Sequence, residues 1–205
     1  VWELSGDSDV EFAQPNYRYE ISAAPNDTDY ATLWGLNNTG QTIASPVYST
    51  HNPGTSGADI SAEAAWDLIT DCSAITVAVI DTGVNYNHED LSANMWAGTA
   101  NHGYDFVDSD NDPMDLNGHG THVAGTIGAV GNNGTGSTGV CWNTQIMAVR
   151  VLDAGGSGYT SDVVAGVDYA VAQGADVINM SLGGGTYDAA FNTAVTNASN
   201  AGVVI

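Results

Sequence analysis

Continuous apolar runs alternating with helical patterns constrain this chain most. Thr76–Ile80 is a continuous apolar run and reads as a strand buried on both faces, 145–152 reads as a further apolar strand, and Asp176–Met180 as another strand. Between and after them lie helical patterns at 121–130, 161–173 and 188–201, and a last apolar run at 203–205. In 161–173, Val163, Val164, Val167, Ala170 and Val171 fall on one side. An earlier helix is expected over 61–70, opened by Ser61 as cap, with Ala64, Ala65, Leu68 and Ile69 at helical spacing. Strands that alternate with helices imply a parallel sheet covered on both faces, so the expected fold is α/β, an open doubly wound sheet. The 205 residues suffice for one domain, and 43% apolar against 13% charged residues rule against disorder. Residues 25–57, rich in Asn, Thr, Gly and Pro, read as surface loop.

Twenty-four acidic residues face only Arg18 and Arg150, for a formal charge of -22. Nucleic acid and anionic membrane both require basic patches, so neither is expected as a partner. An acidic surface favours solubility, tolerance of salt and bound cations. No apolar run approaches the roughly 20 residues of a membrane-spanning helix. The chain begins at Val1 and stops at Ile205 in an apolar run, which reads as a segment of a longer protein.

Asp81 follows Val77-Ala78-Val79-Ile80 and precedes the exit turn Thr82-Gly83. It therefore stands at the carboxyl end of a buried strand, the functional edge of an open parallel sheet. A carboxylate there is partly desolvated and needs a donor. His119 can be that donor, in Asn117-Gly118-His119-Gly120-Thr121-His122 at the start of a helix. An Asp that fixes one histidine tautomer lets the ring take a proton from a hydroxyl. Three other readings compete: Asp81 and His119 as turn former and helix cap only; Asp-Thr-Gly as an aspartic-protease signature; and His119 with His122 as zinc ligands. The second needs an all-β chain and another Asp-Thr-Gly copy or a homodimer. The third lacks completing ligands.

Val-Ile-Asp-Thr-Gly-Val at 79–84 and Gly-His-Gly-Thr-His-Val-Ala-Gly at 118–125 resemble the aspartate and histidine signatures of the subtilases. Asp-Val-Ile-Asn-Met-Ser-Leu-Gly-Gly at 176–184 resembles their substrate-binding strand. The resemblance runs from about Pro25 to the end and is greatest to the thermitase-like branch. It implies a secreted, monomeric serine endopeptidase, in which Asp81 orients His119 and His119 serves as general base and then acid. Ser181, Leu182 and Gly183 would form one wall of the cleft and Gly156, Ser157 and Gly158 the other, both pairing with extended polypeptide substrates. His122 would be structural. Residues 1–24, with Val10–Tyr17, resemble the tail of an inhibitory propeptide, and 25–205 the front of the catalytic domain. The family's oxyanion asparagine and its serine, in a Gly-Thr-Ser-Met-Ala motif, are expected beyond residue 205. Gly54-Thr55-Ser56 is not that motif, since it precedes Asp81 and lies in a loop. These 205 residues alone are thus expected to be inert. The competing reading is a non-catalytic calcium-binding pseudoprotease.

Asp105, Asp108, Asp110 and Asp112 crowd into eight residues, with Asp115 just beyond. Clustered oxygen ligands without sulfur point to calcium, and the stretch resembles a calcium loop of thermitase-like members. A second calcium candidate, also by resemblance, joins Asp90 to the loop Val130–Gly134 through Asn132. The family places the strands after Cys72 and Cys141 side by side, which implies a disulfide between these cysteines and agrees with secretion; two free buried thiols are the alternative.

Overall fold

The computed structural model describes residues 23–42 and 54–205. The stretch Val10–Tyr17 lies outside the described residues. Four strands, β1 (Asp71–Asp81), β2 (Gly103–Asp105), β3 (Asn143–Arg150) and β4 (Val177–Asn179), form one sheet in the order β2-β3-β1-β4, and every pairing is parallel. The helices are α1 (Ala62–Trp66), α2 (His119–Gly128), α3 (Thr160–Ala172) and α4 (Ala189–Asn200).

The alternation of side chains along β1 divides the core in two. Val77 and Val79 face Leu91, Ala124 and Ile127 beneath α2. Ala78 and Ile80 face Val163, Val167 and Ala170 of α3 and Ala194 and Ala198 of α4. Helices therefore cover both faces, as the doubly wound reading requires. The connection through α2 enters β3 on one face, and the connection through α3 passes to β4 on the other. The carboxyl ends of the central strands are left open between them, where such sheets hold their sites.

The first helix differs from expectation. It spans only Ala62–Trp66, with Ala62 and Trp66 buried, while Leu68 is 88% and Ile69 61% exposed. Trp66 decides the face: its indole N–H donates to Val140 O at 2.8 Å, and its ring packs against Trp142 and Tyr30. Ser61 is not a capping side chain; its backbone is left-handed (φ 56°) and makes no side-chain cap bond. β1 also starts earlier than the apolar run, because Asp71 pairs with Asn143 before a register shift to Thr76↔Gln145. β2 escaped the pattern reading because three residues carry no period, yet Tyr104 pairs with Val149 and Asp105 with Arg150. The run 203–205 meets β4 in a single parallel bridge, Val177↔Val204.

Cys72 and Cys141 are joined as a disulfide, with Cα atoms 6.1 Å apart and a separation of 69 positions in sequence. The bond fastens the start of β1 to the approach of β3, the most heavily shared edge of the sheet. Closing so long a loop restricts the unfolded chain, and reduction is expected to cost about 2–4 kcal/mol, or roughly 5–15 °C in Tm. Melting with and without a reductant tests this; coincident melts of verified oxidised and reduced protein would contradict it.

Candidate active site

Asp81 closes β1 with no solvent exposure. Its Oδ1 accepts the backbone N–H of Thr82 at 2.7 Å and His119 Nδ1–H at 2.7 Å, while Oδ2 has no hydrogen-bond partner among the described residues. A carboxylate acceptor requires the proton on Nδ1, which leaves Nε2 of the neutral ring free to accept one. The His119 side chain is half exposed and borders the cleft, so that lone pair is accessible. The pair thus joins a buried anion to an accessible base.

Close backbone packing brings the two residues together. Gly120 follows His119 in the first turn of α2, and a Cβ there would stand 2.1 Å from Gly83 O. Gly83 itself has φ 100°, and a Cβ on it would meet Pro113 O at 2.5 Å. Glycine at both positions lets the helix start lie directly on the exit of β1. Residues outside the helix satisfy the N–H groups of that first turn. Asn117 Oδ1 accepts from His119 N at 3.2 Å, Thr82 Oγ1 from Gly120 N at 2.9 Å, and Asp115 Oδ2 from Thr121 N at 2.9 Å.

A cleft of about 1160 Å³ runs along this edge. His119 borders it together with both segments singled out in the sequence, Gly156-Ser157-Gly158 and Ser181-Leu182-Gly183. Sequence reasoning missed Tyr159 and Tyr187, which also line it and are each 78% exposed. Exposed aromatics at a cleft carry no sequence period, so nothing in the pattern marked them.

The acidic stretch is organised differently from a shared ligand cage. Arg150, Asp105's register partner in β3, donates through Nη1 to Asp105 Oδ2 and, at 2.7 Å, to Asp108 Oδ2. Asp105 Oδ1 is occupied by the N–H groups of Val107 and Asp108. Asp110 accepts from Asp112 N, and Asp112 from the Tyr86 hydroxyl at 2.7 Å. That bond, with burial, pushes the Tyr86 hydroxyl up to about 12. Among the described residues no three His, Cys, Asp or Glu side chains gather as a metal-holding group. Arg150, given no role by the sequence, supplies the countercharge for Asp105 and Asp108.

Asp90 lies elsewhere, buried under the loop 130–138. Its Oδ1 accepts from Asn133 Nδ2 at 2.8 Å and its Oδ2 from Ser137 N at 2.9 Å. A second buried carboxylate, Asp27, joins the same loop by accepting from Asn132 N at 2.7 Å and Asn133 N at 3.1 Å. Asn132 is left-handed (φ 59°), and its side-chain oxygen accepts from Asn26 N. Neither carboxylate has a basic partner among the described residues. Asp27 was not marked by the sequence, because only packing brings residues 26–29 onto this loop.

A buried aspartate that fixes a cleft-side histidine in one tautomer, at the carboxyl edge of a parallel sheet, is an arrangement chemically able to take a proton from a hydroxyl. The profile of the subtilase family matches residues 73–205, and the chain belongs to that family. A thermophilic serine proteinase of Bacillus sp. (strain AK1) is 43% identical over 206 residues, covering 100% of this chain and 45% of the relative. Thermitase of Thermoactinomyces vulgaris is 47% identical over 146 residues, covering 71% of this chain and 50% of the relative. Halolysin of Haloferax mediterranei is 35% identical over 179 residues, covering 85% of this chain and 30% of the relative. The chain thus spans half or less of the length of these relatives.

Asp115 gives the site a pH signature. Burial alone would raise its carboxyl, but the N–H of Gly118, the Thr121 hydroxyl and the N–H groups of Asn117 and Thr121 hold it below the ordinary 3.8. A depressed folded value means this stabilisation is complete above about pH 4 and is lost as pH falls through the folded value. The Tm difference between the parent sequence and Asp115→Asn is therefore expected to be constant near neutrality and to shrink below about pH 4. A difference independent of pH down to pH 2 would contradict it.

Proposed function

We propose that the protein containing this chain is a secreted serine endopeptidase acting on extended polypeptides. The observation that carries the reading is the 2.7 Å bond between buried Asp81 and cleft-side His119. Asp81 holds the imidazole with Nε2 toward the cleft and stabilises the imidazolium that forms when the ring takes a proton. His119 takes that proton from the attacking hydroxyl and returns it to the leaving amine. No hydroxyl of the described residues is hydrogen-bonded to His119 Nε2, so the nucleophile and the oxyanion asparagine are assigned to the continuation of the parent protein. These 205 residues alone are expected to cleave nothing. Backbone groups of 156–158 and 181–183 flank the cleft and suit a substrate held as an added strand. Residues 1–24 are assigned to the end of an inhibitory propeptide. The disulfide supports an oxidising destination, and one relative is itself named a halolysin-like extracellular serine protease.

Calcium is the cation proposed, as a structural ion. Asp27 and Asp90 fit it best: both are buried hard oxygen ligands without a basic partner among the described residues, and both are bonded to the loop 130–138. At 105–112 a calcium ion would share Asp105 and Asp108 with Arg150, so that stretch, with Asp110 and Asp112, is the weaker candidate. When bound, the ion would tie residues 26–29 to the loop 130–138 and add its binding free energy to folding.

Two measurements follow. The parent protein should hydrolyse denatured casein and be silenced by a sulfonyl fluoride, with His119→Ala lowering kcat on the order of 10⁴-fold or more, as loss of a triad member does in serine proteases generally. Hydrolysis that survives both would contradict the assignment. A calcium chelator should lower Tm, and Asp90→Asn should abolish that response while Asp108→Asn retains it. Equal midpoints with and without chelator would remove calcium from the account.

A further inference from the structure

We infer that Asp115 is a positioning residue for the catalytic pair, holding the start of α2 against the end of β1 so that His119 meets Asp81. This inference rests on the endopeptidase reading above. Asp115 Oδ1 accepts from the Thr82 hydroxyl, Asn117 N and Gly118 N, each at 2.9 Å. Its Oδ2 accepts from Thr121 N at 2.9 Å and the Thr121 hydroxyl at 2.6 Å. Five donors converge on one half-buried carboxylate, and they come from both sides of the junction: Thr82 beside Asp81, and 117–121 around His119.

Thr82 is the link. It is buried, its N–H donates to Asp81 Oδ1 at 2.7 Å, and its hydroxyl accepts from Gly120 N at 2.9 Å. A hydroxyl has one hydrogen, so while it accepts from Gly120 that hydrogen is free for Asp115. The result is a closed ring of hydrogen bonds: Asp115 to Thr82, Thr82 to Gly120, and the helix start back to Asp115. Asp81 hangs from the same Thr82 residue, and His119 stands one position before Gly120. Displacing any member moves ring and carboxylate relative to each other.

An ordinary cap would not do this. The residue in the capping position is Gly118, which has no side chain, and Asp115 reaches the turn from three residues earlier. The requirement is also for a carboxylate rather than for any acceptor. An amide at 115 turns its NH₂ either toward Thr121 N or toward the N–H groups of Asn117 and Gly118, so a donor meets a donor in both orientations.

The test uses the intact parent protein with Asp115→Asn and, separately, Thr82→Val, which removes the link but leaves Asp115 its backbone partners. Two readouts are taken on folded protein: kcat and KM for a peptide substrate, and the far-downfield ¹H NMR signal of the His119 Nδ1 proton shared with Asp81. Asp115→Asn is expected to lower kcat roughly tenfold or more with KM within about twofold, and to move or broaden the Nδ1 signal; Thr82→Val should shift both in the same direction. Variants that melt lower but keep kcat and the Nδ1 signal unchanged would reduce Asp115 to a loop staple and overturn the inference. If Asp115→Asn fails to fold, Thr82→Val decides on the same two readouts. If the parent shows no serine-dependent hydrolysis, the endopeptidase reading fails, and the Nδ1 signal alone still judges Asp115.

Discussion

Burying a carboxylate at the end of the sheet's central strand is the constraint around which this structure is arranged. Asp81 has lost its water entirely, so the donors aimed at it decide whether the edge is stable. One donor comes from the next residue of the chain, and the other is a histidine delivered by a helix thirty-eight positions later. Delivering that ring demands that α2 begin almost in contact with the strand exit. Gly83 and Gly120 permit the approach, and Thr82, Asn117 and Asp115 absorb the polar groups it exposes. Packing that serves the fold and the orientation proposed to serve catalysis are therefore the same set of contacts.

The acidic composition takes on a different meaning once the contacts are known. Arg150 is buried and holds Asp105 and Asp108 at the end of β3, beside β1's Asp81 in the strand register. Among the described residues Asp27 and Asp90 have no such partner, and they accept from backbone and amide donors of one loop. The same residue type thus plays two roles, set by whether a guanidinium is in reach. That division is why a structural cation is proposed for the Asp90 loop in preference to the denser acidic stretch.

Much of the fold was legible because buried parallel strands and amphipathic helices write long, distinct patterns. The apolar run before Asp81 and the stripe through Val163, Val167 and Ala170 are examples. What failed was short or non-local. Three residues of β2 carry no period, and the face of α1 is chosen by Trp66 packing at a tilt against two rings distant in sequence. At the site, Asp81 and His119 stood out because each sits in a motif at the end or start of a regular element. Asp115 was noticed only as an acidic residue, since its five donors become visible when Thr82 and the α2 turn are brought together. Asp27 and Arg150 act across strands and loops, where spacing along the chain says nothing.

Labelling of the parent protein by a fluorophosphonate probe tests the central claim most directly, because phosphonylation of a serine needs the Asp81–His119 pair but no substrate recognition. The account predicts rapid stoichiometric labelling of a single serine, slowed by orders of magnitude in both Asp81→Asn and His119→Ala. Labelling at equal rates in all three proteins, or none in the parent sequence, would contradict it.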